Sequence, residues 1–167
     1  MTFTEPEQQF MSAQRRGRLA TIAPGGSPQV KPVGFAVNAE LGTIDIAGFN
    51  MSGSAKFRNI LANPKVAFVV DEVIFEGIDG VRFMEIRGTA EAAMAPVPPD
   101  SFVGPDLIRI RPRRILAFNI DPERPGLQTR DVELPGAQLP GPQLAGAPRA
   151  GAPRAGAPRA GAPRAGA

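Results

Sequence analysis

Between Arg18 and Ile120 the chain alternates short apolar runs with glycine- and proline-bearing turns, and this punctuation most limits the folds open to it. RLATIA (Arg18–Ala23) and PQVKPVGFAV (Pro28–Val37) flank Pro24-Gly25-Gly26-Ser27, a hairpin signal because glycine supplies the backbone freedom that a tight turn needs. Pro32 interrupts the second run. A proline cannot donate to a ladder, so this strand lies at an edge, carries a bulge, or leaves its backbone open to a ligand at that point. Asn38–Gly42 is a second turn, and TIDIA (Thr43–Ala47) alternates as a half-buried strand does. VAFVVDEVIF (Val66–Phe75) is apolar on both faces and predicts a central strand. After a turn at Glu76–Gly80, VRFMEIRGTAEAAM (Val81–Met94) predicts a long strand with a bulge or bend at Gly88. A proline-rich connection leads to Leu107–Ile120, a strand interrupted at Pro112. Six or seven antiparallel strands of this kind predict a mainly β fold, a barrel flanked by two short helices.

The first helix is expected over Glu5 to Arg16. Thr4 and Glu7 have capping-box spacing, Phe10 and Met11 supply an apolar side, and Gly17 stops it. The second lies within GFNMSGSAKFRNILANP (Gly48–Pro64). Ser54 is a suitable N-cap, Phe57, Ile60 and Leu61 form one apolar stripe, and Asn63-Pro64 ends the helix. Its unpaired N–H groups and the positive end of its dipole face the polar Gly48–Ser54 loop, an arrangement that cradles an anion such as phosphate. Lys56, in the first turn, opposes that dipole unless an anion is bound, and Arg58 follows in the next turn. The plainer reading of the same residues is a capped surface helix with solvated cations.

Composition narrows the chemistry. The 167 residues contain no Cys, His, Trp or Tyr. That excludes disulfides, ordinary zinc sites, Ser-His and Cys-His nucleophiles and the common axial haem ligands, so no metal site is expected. An enzyme of this composition borrows its reactivity from an organic cofactor and supplies binding and orientation. The net charge of +3 comes from the end of the chain, where AGAPR repeats four times from Ala145 and carries arginines but no acid. The remainder is close to neutral, which gives no reason to expect a nucleic-acid partner. Residues 1–130 are therefore expected to form one barrel domain, and residues 131–167 a disordered Pro/Gly/Ala-rich tail. No apolar run reaches transmembrane length and the acidic, proline-bearing start is unlike a signal peptide, so neither a membrane nor an export route is expected and the location predicted is cytoplasmic.

In order and spacing, RLATIAPGGSPQVKPVGF, GTIDIAGFN, SAKFRNILANPKVAFVVD and MEIRGTAE resemble the split β-barrel proteins of the pyridoxamine 5′-phosphate oxidase-like family. The likeness runs from Gly17 to Asp121, and LIRIRPRRILAFNID with the GFN loop is most similar to the actinobacterial branch that uses the deazaflavin coenzyme F-420. The resemblance implies a homodimer with the cofactor in a groove between subunits. It implies that Lys31 reaches the cofactor phosphate, that the backbone at Pro32 and Val33 approaches the ring, and that Phe49 and Asn50 lie beside the ribityl chain. Ser54 and Lys56 match the ends of the family's Ser-Arg-Lys phosphate motif. Ala55 replaces its arginine, a contact that Arg58 supplies only in part, and Asn59 matches an Arg-Asn pair that holds the loop or touches the cofactor. The activity implied is hydride transfer from reduced coenzyme F-420 to a small acceptor, an activated C=C or quinone-like compound. The alternatives are an FMN-dependent reductase or oxidase of the same fold, and a non-catalytic flavin or tetrapyrrole binder.

Overall fold

The computed structural model describes residues 1–98 and 101–133, so of the tail expected over 131–167 only 131–133 are described, Asp131 among them as the last residue of a strand, and the AGAPR repeats lie outside the described residues. In chain order the elements are α1 (Glu5–Ala13), β1 (Gly17–Ile22), β2 (Pro28–Val33), β3 (Ala36–Asn38), β4 (Thr43–Ala47), α2 (Ala55–Ala62), β5 (Lys65–Val73), β6 (Val81–Met94), β7 (Asp106–Phe118) and β8 (Leu127–Asp131). The fold is a mainly β antiparallel split barrel with two helices, as the strand punctuation predicts. Among the described residues it has eight strands where six or seven were expected. The run Pro28–Val37 divides at Gly34-Phe35, and LQTRD adds a strand where proline and glycine accumulate and no alternation announces one.

The sheet runs β2-β1-β5-β6-β7-β4-β3, with β8 paired to β7 beside that path. Its two end strands, β2 and β3, are consecutive in sequence and joined only by Gly34 and Phe35. So short a link spans about 11 Å at most, so the sheet must curl until its edges approach, although they do not pair. Phe35 covers this seam, packing edge-on against the fully buried Phe68 ring with centroids 5.0 Å apart. Pro32 sits opposite Arg18 on β2, whose other side is a free edge, which accounts for a proline inside a ladder. At Gly88 the β6–β7 register shifts; a Cβ there would stand 2.1 Å from the Arg111 carbonyl oxygen, so only glycine lets the strands come this close.

The barrel interior is filled by Leu19, Ile44, Ile46, Phe68, Met84 and Ile108, all buried, each contributing roughly 1.5–3 kcal/mol over an exposed side chain. Helix α1 has the expected capping box, Thr4 Oγ1 accepting from the Glu7 N–H and the Glu7 carboxylate from the Thr4 N–H at 2.8 Å. It ends at Ala13 and not Arg16, because Gln14 turns extended and Gly17 is already the first residue of β1, where a Cβ would meet the Phe68 ring at 2.2 Å. Glu7 also accepts from Arg130 Nη2 at 2.5 Å, fixing the helix to β8.

On the outer face of β4 and β7, Arg109 donates two hydrogen bonds to Asp45, at 2.8 and 2.6 Å. Partial burial alone would raise the Asp45 carboxyl; the Arg109 hydrogen bonds and charge, helped by Asn38 and Thr43, outweigh it and hold the group below its usual 3.8. A depressed carboxyl stabilises the fold above its unfolded value and loses that contribution as the pH falls through the folded value. Asp45→Asn is therefore expected to cost about 1 kcal/mol at neutral pH, with the gap to the parent protein closing below pH 3.8. Denaturant titrations at a series of falling pH values check this, and a gap that does not narrow at all as the pH is taken below 3.8 would contradict it.

Candidate functional site

The loop between β4 and α2 is pinned from both sides. Met51 is buried in the core, Asn50 takes a left-handed φ of 47°, and the Asn50 amide lies against Gly53, where a Cβ would come within 2.7 Å of it. Ser54 then caps α2, its hydroxyl accepting from the Phe57 N–H at 3.3 Å. The Ala55 and Lys56 N–H groups find no acceptor among the described residues and remain directed at the loop.

Lys56 is half-buried in this first turn, which contains no acid, and no carboxylate among the described residues pairs with it. Desolvation lowers its pKa. A cation is thus held where both burial and the helix dipole disfavour it, a cost that a bound anion would remove. Arg58, by contrast, is committed: Nη1 donates to the Gly53 carbonyl at 2.7 Å and braces the loop.

Asn59 is 4% exposed, and its amide nitrogen donates to Thr21 Oγ1 and Gln29 Oε1, both at 3.0 Å. It therefore ties α2 to the β1–β2 hairpin. The stripe expected on α2 differs accordingly: Phe57 and Ile60 are buried, but Leu61 is 64% exposed, and the face turned to the hairpin is the one carrying Asn59. Lys31 shares a face of β2 with Gln29 and Val33, and Lys56 lies one turn before Asn59 on α2, so each lysine is a near neighbour in sequence of one partner in the Asn59–Gln29 bond. Lys31 and Pro32 are exposed, whereas the Val33 side chain is buried and offers only backbone. Phe49 is 78% exposed beside the likewise exposed Asn50.

Thr21 and Gln29 were not among the residues that sequence reasoning selects. A signal was present, because the alternation of RLATIA puts Thr21 on the inward face with Leu19, where a buried hydroxyl needs a partner. Among the described residues no cluster of three or more Asp or Glu could hold a metal ion, and no helix is long and apolar enough to cross a membrane.

Residues 3–124 match the family model described as pyridoxamine 5′-phosphate oxidase. The chain is 40% identical over 138 residues to a 5a,11a-dehydrotetracycline/5a,11a-dehydrooxytetracycline reductase of Streptomyces rimosus subsp. rimosus, an alignment covering 79% of this chain and 94% of the relative. Among solved structures it is similar to a conserved hypothetical protein of Mycobacterium tuberculosis, with a TM-score of 0.55, 23% identity, and coverage of 68% of this chain and 82% of that one. It is also similar to a heme storage protein of Vibrio cholerae, with a TM-score of 0.56, 16% identity, and coverage of 72% and 98%. At such identities the two structures speak for the fold alone.

Proposed function

We propose, because this chain belongs to the pyridoxamine 5′-phosphate oxidase family, that it is an oxidoreductase passing a hydride from reduced coenzyme F-420 to an activated C=C of a conjugated, quinone-like or fused-ring acceptor. The observation that carries this reading is Lys56, a desolvated cation at the positive end of a helix with no ion-pair partner among the described residues. Such a group is destabilising until an anion arrives, and a cofactor phosphate is an anion of the right kind. The dehydrotetracycline reductase relative supports both the reaction type and a fused-ring acceptor.

The residues present fit a phosphorylated deazaflavin. Lys56, the free N–H groups of Ala55 and Lys56 and the Ser54 hydroxyl would hold its phosphate, with the exposed Lys31 of β2 neutralising further negative charge. Arg58 and Asn59 act on the cofactor through the loop and hairpin that they fix, since their side chains are already engaged. Phe49, Asn50 and the backbone at Pro32 and Val33 would line the rest of the groove. When bound, the reduced deazaflavin supplies the hydride. The chain contributes proximity and exclusion of water. With no His or Tyr, the accompanying proton comes from solvent or from the acceptor.

A homodimer is part of this reading. The exposed Pro28, Val30 and Pro32 leave the outer face of β2 apolar, as a subunit contact requires. FMN is the second cofactor that the same cradle suits, because it too presents a phosphate. Titration of the purified protein with each cofactor, followed by stopped-flow mixing of the reduced complex with a dehydrotetracycline-type acceptor, separates the readings. Tight uptake of coenzyme F-420 and reoxidation on adding acceptor are expected. A protein that holds FMN and takes up no F-420 would be a flavin enzyme, and uptake without reoxidation by any acceptor would make it a carrier.

A further inference from the structure

The turn between β5 and β6 presents Val73, Ile74, Phe75 and Ile78 to solvent, each more than half exposed. This tip is rigidly built. The Ile74 N–H donates to the Gly80 carbonyl at 2.9 Å, Gly77 has a φ of 99°, and a Cβ on Gly80 would lie 2.0 Å from the Phe75 carbonyl oxygen. Four large apolar side chains held in place at a hairpin tip call for a cover. At the open end of the same hairpin lies a groove of about 370 Å3 lined by Ala20, Ile22, Pro28 and Ala67, with Lys65 and Arg87 as its charged residues. The tip carries the exposed acids Glu76 and Asp79. Lys65, Glu76 and Asp79 have no ion-pair partner among the described residues, and the exposed Arg87 pairs with the half-buried Glu85 of its own strand.

We infer that the tip of one copy seats in the groove of a second copy, and reciprocally. The inference rests on the homodimer reading and goes beyond it by naming the surfaces. Knob and groove lie at opposite ends of β5, about 26 Å apart for eight residue steps. Two such hairpins laid antiparallel about a two-fold axis therefore bring each knob to the other's groove, which is the self-complementary contact that closed dimers use. Acids on the knob meet bases on the groove, so the pairing is matched in charge as well as in polarity. A lipid surface, the other resting place for an apolar tip, is disfavoured by those same acids. The groove is walled by Thr21 and Pro28 of the β1–β2 hairpin, so the seated tip of the second copy stands against the hairpin that Asn59 fixes and that carries Lys31.

Charge reversal with rescue tests this by sedimentation velocity at fixed salt. Glu76→Arg with Asp79→Arg, or Lys65→Glu with Arg87→Glu, is expected to raise the dimer dissociation constant about tenfold or more, and the two reversals combined to return it to within about threefold of the parent. Because the chain has no cysteine, Ile78→Cys with Pro28→Cys gives a direct second readout: oxidation should yield a covalent dimer that neither single variant forms. A parent dimer that is indifferent to the reversals, is not rescued by their combination, or forms no cross-link overturns the pairing and leaves the homodimer reading standing. A parent that is monomeric at micromolar concentration with cofactor present overturns both, as does a monomer that instead sediments with phosphatidylcholine vesicles.

Discussion

Lys56→Ala is expected to weaken cofactor binding by about 1.5–3 kcal/mol, roughly ten- to a hundredfold, and to leave the cofactor-free protein no less stable. The two halves of this expectation share one cause. In the cofactor-free protein the ammonium is partly desolvated and opposed by the helix dipole, with no carboxylate among the described residues to offset either. Removing it relieves that conflict, and melting temperature should hold or rise slightly. In the complex the same charge meets a phosphate, and its loss removes a charge-assisted hydrogen bond. Ala55→Arg is the converse experiment. Residue 55 is exposed at the first helical position, so an arginine there fits and restores the basic residue that the family's phosphate motif has and this chain lacks. It should tighten binding. Isothermal titrations with both cofactors at one salt concentration give the answer, since exposed charge contacts are screened. Unaltered affinity in both variants would remove the cradle.

Asn59→Ala should lower stability by about 1–3 kcal/mol, and cofactor affinity should fall with it, although the side chain is buried and its amide nitrogen already engaged by Thr21 and Gln29. The buried amide joins α2 to both strands of the β1–β2 hairpin, so its loss strands the Thr21 hydroxyl and the Gln29 amide oxygen and frees Lys31 to move relative to Lys56. Thr21→Val is the discriminating partner. It removes one hydrogen bond but leaves the Asn59–Gln29 link, so it should cost stability while largely sparing affinity. Equal losses of affinity in the two variants would mean that the hairpin is held by something other than this amide. Chemical denaturation and cofactor titration on both proteins are the measurements.

What the sequence disclosed follows the range of the interactions concerned. The capping box of Thr4 and Glu7 and the Ser54 cap were legible because each rests on neighbours in the chain, and Gly88 because a lone glycine inside a strand pattern marks a bulge or a close backbone approach. The division of Pro28–Val37 was not, because Pro32 to Phe35 is continuously apolar or small, and only the curl of the whole sheet decides that β2 stops at Val33. Leu61 has the spacing of a core residue, yet a polar contact with residues thirty or more positions away turned Asn59 inward in its place. The ion pair of Asp45 with Arg109, and β8 with its Arg130 link to Glu7, depend on partners 64 and 123 positions apart and leave no local mark. Within the candidate site, the Ser54 cap was readable and the Asn59 link from α2 to Thr21 and Gln29 was not, since that link joins residues distant in the chain.

The two-residue joint between β2 and β3 bears on how still the site is. An edge strand hydrogen-bonded on one side, with a proline in its ladder, is ordinarily the part of a sheet that frays first. Here the end of that strand is moored through Gly34 and Phe35 to the far margin of the same sheet, and Phe35 is seated against the Phe68 ring. For β2 to peel away, the whole barrel would have to open along its seam. Lys31 thus stands on a strand that is exposed enough to meet a ligand and tethered enough to keep its register, so preorganisation at this position is a result of topology more than of local bonding.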